Sequence, residues 1–409
     1  MSVSAPSAAN TSLKGGFLAA IFLMATSAIG PGFITQTATF TAKMGAAFAF
    51  AILASIVIDF VVQLNIWRIT ALTRRRASDT ANAAIPGAGY VLALLVLIGG
   101  LAFNVGNIAG AGLGLNAMMG VDPKIGGAVS ALLAIGIFLS RRAGLLLDRM
   151  IIGLGLLMIV MTVIVALTTN PPVGEALRQA VLPDTIDFAT ITTIVGGTVG
   201  GYITYSGAHR LLDKGLVGEE NLQAVTRASL TGIAVTGVMR FVLFLAILGV
   251  VASGVTLDLS SQAANPAAQA FASALGEWGL RVFGVVLWAA AITSVIGAAY
   301  TSVSFLTVFG EMDDRGRNIA TVIFIAVSLV VYLALGKAPA SILVFVGGFN
   351  GLILPIGLTI FTYIGFARSD LMGGHVYNRP LLIASAVVCA LTWYMGFKSV
   401  GTIFSFLLG

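Results

Sequence analysis

The stretch TSAIGPGFITQTATFTA, residues 26–42, decides how the chain is read, because Gly30-Pro31-Gly32 interrupts an apolar run long enough to cross a bilayer as one helix. Glycine and proline both weaken a helix interior. Backbone freed at that depth is tolerated only where it is buried in protein or lines a cavity. A second interruption lies in VGGTVGGYITYSGAHR, residues 195–210, where Gly196, Gly197, Gly200 and Gly201 sit in the middle of another apolar run. Small residues also let helices pack closely, which is the plainer reading. Breaks at matching places five segments apart predict instead an inverted-repeat transporter with its site near the midplane.

The rest of the chain supports a membrane setting. Of 409 residues, 58% are hydrophobic and 9% charged, with a mean hydropathy of +1.02. Soluble domains carry about 25% charged residues. The single cysteine, Cys389, excludes a disulfide framework within the chain and a multi-cysteine metal site. The N-terminal tail has one lysine before an apolar segment too long for a cleaved signal, so that segment reads as the first span.

At about 20 apolar residues per span, the sequence predicts an all-α integral membrane protein with eleven transmembrane helices. They run over about 16–42, 45–67, 89–119, 124–140, 150–169, 188–208, 228–253, 280–309, 318–336, 340–366 and 380–405. The whole chain, 1–409, is one transporter domain. Repeat one covers about 16–169, repeat two about 188–366, and an extra helix about 380–405. With the N-terminus cytoplasmic, fifteen Lys and Arg residues fall in inner loops and six in outer ones, leaving Arg240 within a span. This follows the positive-inside rule and suits a cell inner (plasma) membrane. The longest loops, 170–187 and 253–270, fall outside and have room for short surface helices.

Polar residues inside the spans are the candidate site. Asp59 and Arg240 are the clearly mid-span charges, on spans 2 and 7 at equivalent repeat positions. Burying a lone charge costs upwards of about 2.5 kcal/mol, so an intramembrane Asp59–Arg240 ion pair is expected, structural or gating. Asn104 and Asn107 share a face of span 3, as path lining or as interhelical glue. Thr35, Thr37, Thr39 and Thr41 alternate along the outer half of span 1, and some must back-bond to the helix. His209 and His375 lie near cytoplasmic span ends, and His209 is expected to meet a helix C-terminus and lipid headgroups.

Eleven spans, the Gly-Pro-Gly break, GTVGGYITYSGAHR in span 6 and NGLILPIGLTIFTYIGF in span 10 resemble the natural resistance-associated macrophage protein (NRAMP) family of divalent metal transporters. The resemblance implies the leucine-transporter (LeuT) type of fold, a 5+5 inverted repeat with helices 1 and 6 broken. It also implies alternating access and a divalent cation such as Mn2+ or Mg2+ as cargo. The family's metal-binding motifs are altered here. Its Asp-Pro-Gly-Asn is Gly30-Pro31-Gly32-Phe33, its Met-Pro-His is Gly200-Gly201-Tyr202, and the acids it carries on span 3 appear as Asn104 and Asn107.

Both resumed half-helices would present their N-terminal ends to one central place. Unopposed by acids, such ends attract an anion. The expected cargo is therefore a small anion or carboxylate solute (bicarbonate, a short organic acid or an amino-acid-like molecule), with the family's divalent cation as the alternative. The expected binding set is Gly30, Gly32, Phe33, Thr35, Gly197, Gly200, Gly201, Tyr202, Thr204, Tyr205, Asn104 and Asn107, with hydroxyl help from Ser206. No resident metal, cofactor, catalytic residue or nucleic-acid partner is expected, and the chain does not read as an enzyme. The coupling ion stays open between Na+ and H+.

Overall fold

A computed structural model describes residues 30–408, apart from 262 and 311. The inner half of span 1, residues 16–29, lies outside the described residues. The helices are α1 (Pro31–Met44), α2 (Phe48–Thr73), α3 (Ala77–Ala84), α4 (Ala88–Met119), α5 (Pro123–Leu139), α6 (Arg141–Thr168) and α7 (Val173–Val181). They continue with α8 (Phe188–Gly196), α9 (Ile203–Asp213), α10 (Leu222–Ala252), α11 (Pro266–Val303), α12 (Asp314–Leu335), α13 (Pro339–Ala367) and α14 (Arg379–Leu408). No strand occurs among the described residues.

Local chemistry sets the boundaries. Proline opens α1, α5, α11 and α13, where its missing N–H costs nothing. Asp187 caps α8 by accepting from the Ala189 N–H at 3.0 Å. Gly45, at φ +56°, ends α1 before the turn into α2.

Seven helical stretches among the described residues are long and apolar enough to cross a membrane, or eight if the bent α6–α7 pair counts as one. The shortfall from eleven has local causes. α5, span 4, has only 17 residues. Span 6 is split into α8 and α9, and span 1 is described only from Gly30. The uninterrupted run Pro31–Thr73 holds both α1 and span 2. Span 8 begins earlier than its hydropathy suggests, at Pro266, and kinks at Gly276. The loop 170–187 carries α7, and α3 is a short helix the apolar pattern did not mark.

α4 runs through the middle of the bundle against α11, α13, α5, α12 and α1, while α8 is enclosed by α13, α14 and α2. The loops assigned to the inner side meet at one end. There Arg76 pairs with Asp213, Arg74 with Glu220 and His375 with Glu219, and Arg368 donates to the Ala83 and Ala84 carbonyls. At the opposite end Arg281 donates to the Met118 carbonyl at 2.8 Å.

Candidate functional site

α8 stops at Gly196, and six residues without regular helix, 197–202, precede α9. Gly201 there has φ +54°, a left-handed conformation, and a Cβ on it would collide with Asn350 Oδ1 of α13. Only glycine meets both demands. At the start of α1 the Ile34 N–H bonds the Gly30 carbonyl, and the amides one turn earlier have no carbonyl within the helix to accept them. No acidic residue stands in the first turn of either α1 or α9.

Three side chains tie these breaks to the rest of the bundle. Arg240 of α10, 1% exposed, lays its guanidinium over the Phe33 ring at 4.1 Å and donates Nη1 to the Ile194 carbonyl at 3.3 Å. Its Nε and Nη2 have no partner. Asp59 of α2, 3% exposed, accepts from the Thr198 hydroxyl at 2.7 Å through Oδ2, and its Oδ1 has no partner. Gln36 of α1 donates to the Leu343 carbonyl at 2.9 Å and wedges its amide between Gly197 and Gly347, where a Cβ on either would strike it.

The expected Asp59–Arg240 ion pair is therefore corrected. None of the ion pairs among the described residues joins them. Each side chain turns instead to the end of α8, whose exposed carbonyls and the Thr198 hydroxyl offer partners that an intact helix would have consumed internally.

The other expected residues divide. Tyr202 is buried and packs its ring edge-on to Phe103. Asn107 Nδ2 and the Thr35 hydroxyl are buried without a partner. Asn104 lies away from them and donates to Ser328 of α12 at 3.1 Å, as interhelical glue. Thr37 and Thr41 back-bond to the Phe33 and Thr37 carbonyls at 2.7 and 2.6 Å. Tyr205 points into an aromatic group with Phe305, Phe361 and His209, and Ser206 accepts from Thr301. The Thr204 carbonyl accepts the Trp67 indole N–H at 2.7 Å, and that indole fills the notch left by Gly207.

His209 is also corrected: it is 3% exposed and accepts the Ala77 N–H at 3.1 Å, so it caps α3 rather than meeting headgroups. Gln36 and Asn350 were missed. Asn350 donates to the Gly99 and Val346 carbonyls at 3.2 and 2.9 Å, and its Oδ1 is unpartnered beside Gly201. A lone amide inside an apolar span was their signal. Among the described residues no three of His, Cys, Asp and Glu gather into a metal-binding group.

This architecture has known counterparts. The model of natural resistance-associated macrophage protein-like sequences matches residues 21–401. The chain belongs to the Nramp family. Nramp proteins are transporters, and this one is a multi-pass membrane protein of the secondary transporter type. An uncharacterized membrane protein of Haemophilus influenzae is 52% identical over 374 residues, 91% of this chain and 92% of that one. The uncharacterized membrane protein YcsG of Bacillus subtilis is 48% identical over 387 residues, 94% of each. Among solved structures, the Eremococcus coleocola manganese transporter, in complex with an aromatic bis-isothiourea compound, matches with TM-score 0.72 at 13% identity. That match covers 100% of this chain and 90% of that one. MhsT in complex with L-phenylalanine matches at TM-score 0.66 and 16% identity, over 94% and 98% of the two chains. The fold is the LeuT type that the family resemblance implies.

Proposed function

We propose that this Nramp member carries a small carboxylate-bearing solute by alternating access, and that Arg240 receives the carboxylate. One observation carries the reading: a buried guanidinium beside the span 1 break, with Nε and Nη2 unpartnered. A buried donor left unmade costs about 1–3 kcal/mol, more when charged. A carboxylate would fill two such donors in a bidentate pair. The first-turn amides of α1 would add donors of the same sign. Bicarbonate, short organic acids and amino-acid-like solutes share this chemistry.

The second reading is a divalent cation, Mn2+ or Mg2+. The family and the manganese transporter of E. coleocola support it, and the comparisons as a whole lean that way. Against it stands donor chemistry. A dication needs anionic or carbonyl oxygens, and here it would face Arg240 with Asp59 as the sole carboxylate between the breaks. The fold does not choose, since MhsT with L-phenylalanine has it too.

Proteoliposome uptake separates the two. Labelled bicarbonate, L-lactate, pyruvate and L-alanine are compared with Mn2+. Saturable uptake of one of the four, lost in Arg240→Gln, is expected. Saturable Mn2+ uptake with no flux of the four overturns the reading in favour of the cation.

A further inference from the structure

Asp59 is a buried acid that the proposed carboxylate site leaves unused. It stands on α2, beside the unwound stretch of span 6, with no cation within ion-pair distance. Among the cations on the helices packed against α2, Arg240 is buried at the level of the span 6 break. Among the others, Arg178 pairs with Glu175, Asp213 with Arg76, Lys398 lies over Tyr394 and His209 accepts the Ala77 N–H, while Lys43, Arg210, Arg227 and Arg379 are exposed.

Thr198 joins the two charges. Its hydroxyl has one proton and three acceptors in reach: Asp59 Oδ2 at 2.7 Å, the Ile194 carbonyl at 2.9 Å and the Val195 carbonyl at 3.1 Å. The Ile194 carbonyl is also the acceptor of Arg240 Nη1. When Asp59 is ionised, the hydroxyl donates to it. When Asp59 carries a proton, Oδ2 donates to Thr198 Oγ1, and the Thr198 proton turns to the Ile194 carbonyl. Both charge states are satisfied without moving a backbone atom.

We propose that Asp59 is the proton site of this transporter, and that a solute carboxylate seated on Arg240 drives its protonation. The proposal rests on the carboxylate reading above. The positive field of Arg240 is the one ionic support of a buried Asp59 carboxylate. A solute carboxylate cancels that field, and an uncompensated carboxylate at that depth takes up a proton rather than stay charged. Release of the solute restores the field and expels the proton. Linkage makes the effect reciprocal, so protonation of Asp59 favours solute binding. One proton would travel with each solute carboxylate, so that an anionic monocarboxylate crosses with no net charge and a zwitterion such as L-alanine crosses with one positive charge.

Infrared titration of the purified protein tests the proton site without any cargo. A protonated-carboxyl band that rises as the pH is lowered and is absent from Asp59→Asn is expected. A band that does not change with pH, or is present in both proteins, overturns the site. Adding L-lactate, pyruvate, bicarbonate or L-alanine at saturation should move the midpoint up by about one unit, a tenfold gain in proton affinity. If Asp59 titrates and none of the four moves it, the linkage falls, while the carboxylate reading stands or falls separately on the uptake of the four solutes against Mn2+. In proteoliposomes, Asp59→Asn should keep solute exchange across equal pH and lose accumulation driven by a pH gradient. Thr198→Val should weaken that accumulation and Thr198→Ser should retain it. Undiminished gradient-driven accumulation by Asp59→Asn overturns the proposal.

Discussion

Two helices in this molecule are interrupted by a left-handed glycine, and the interruptions differ in everything except that residue. At Gly201 the chain leaves helix for six residues, and Asp59, Asn350 and Gln36 close around them. At Gly276, with φ +70° and ψ −162°, α11 merely kinks, and a Cβ built there would meet nothing within 4 Å. A break becomes a site when its neighbours bring polar atoms to the freed backbone. A kink in open space only redirects a helix. The same rule ranks what substitutions should do.

The largest effect is expected at the charge that serves the enclosed break. Arg240→Gln removes the guanidinium from Phe33 and the Ile194 carbonyl. If a carboxylate docks there, the loss should reach about 3–5 kcal/mol of binding, a hundredfold or more in apparent affinity. Saturable uptake in proteoliposomes checks it, and unchanged affinity would remove the guanidinium from the site.

Next comes the pair Gly201→Ala and Gly276→Ala. Each forces a side chain into a backbone region that costs about 1–3 kcal/mol. Only the first adds a collision, with Asn350, for about 1–3 kcal/mol more. Thermal unfolding should therefore drop further for Gly201→Ala, and transport should fail there while Gly276→Ala keeps it. Equal behaviour of the two would erase the distinction drawn here.

Asn350→Leu should follow, losing the donations to the Gly99 and Val346 carbonyls at about 1–3 kcal/mol in unfolding stability.

The smallest effect belongs to the surface approach to span 6. Arg178 and Gln179 hydrogen-bond Glu175 and hold its carboxyl at about 2, below the usual 4.5. A depressed folded value means the contact stabilises α7 above about pH 4.5 and is lost as pH falls toward 2. Amide exchange in residues 173–181 should rise over that window in wild type. In Arg178→Ala it should already be raised at neutral pH, with little effect on uptake.

How much of this was legible in the residues follows from what each residue type can say alone. Hydropathy marked α4 almost to its ends, and Gly30-Pro31-Gly32 with Gly200-Gly201 marked the breaks, because helix failure is a local property. Partner choice is not local. Asp59 and Arg240 are each conspicuous in a span, yet the exposed end of α8 intervened between them. Asn104 and Asn107, one turn apart on one helix, differ: Asn104 donates to Ser328, while Asn107 Nδ2 is buried without a partner. Gln36 and Asn350 were overlooked since neutral amides are milder signals than charges, although buried among glycines they fill the spaces that matter. α3 and the early start of α11 escaped because neither announces itself as an apolar run.

Trp67 adds a mechanical consequence. Its indole is keyed into the socket at Gly207 and bolted to the Thr204 carbonyl, so the part of the sixth span after the break is splined to the second. Any rocking that swings this stub must carry Asp59 with it or shear both fastenings, and the hinge for such a stroke then falls in the glycine-rich linker ahead of Ile203.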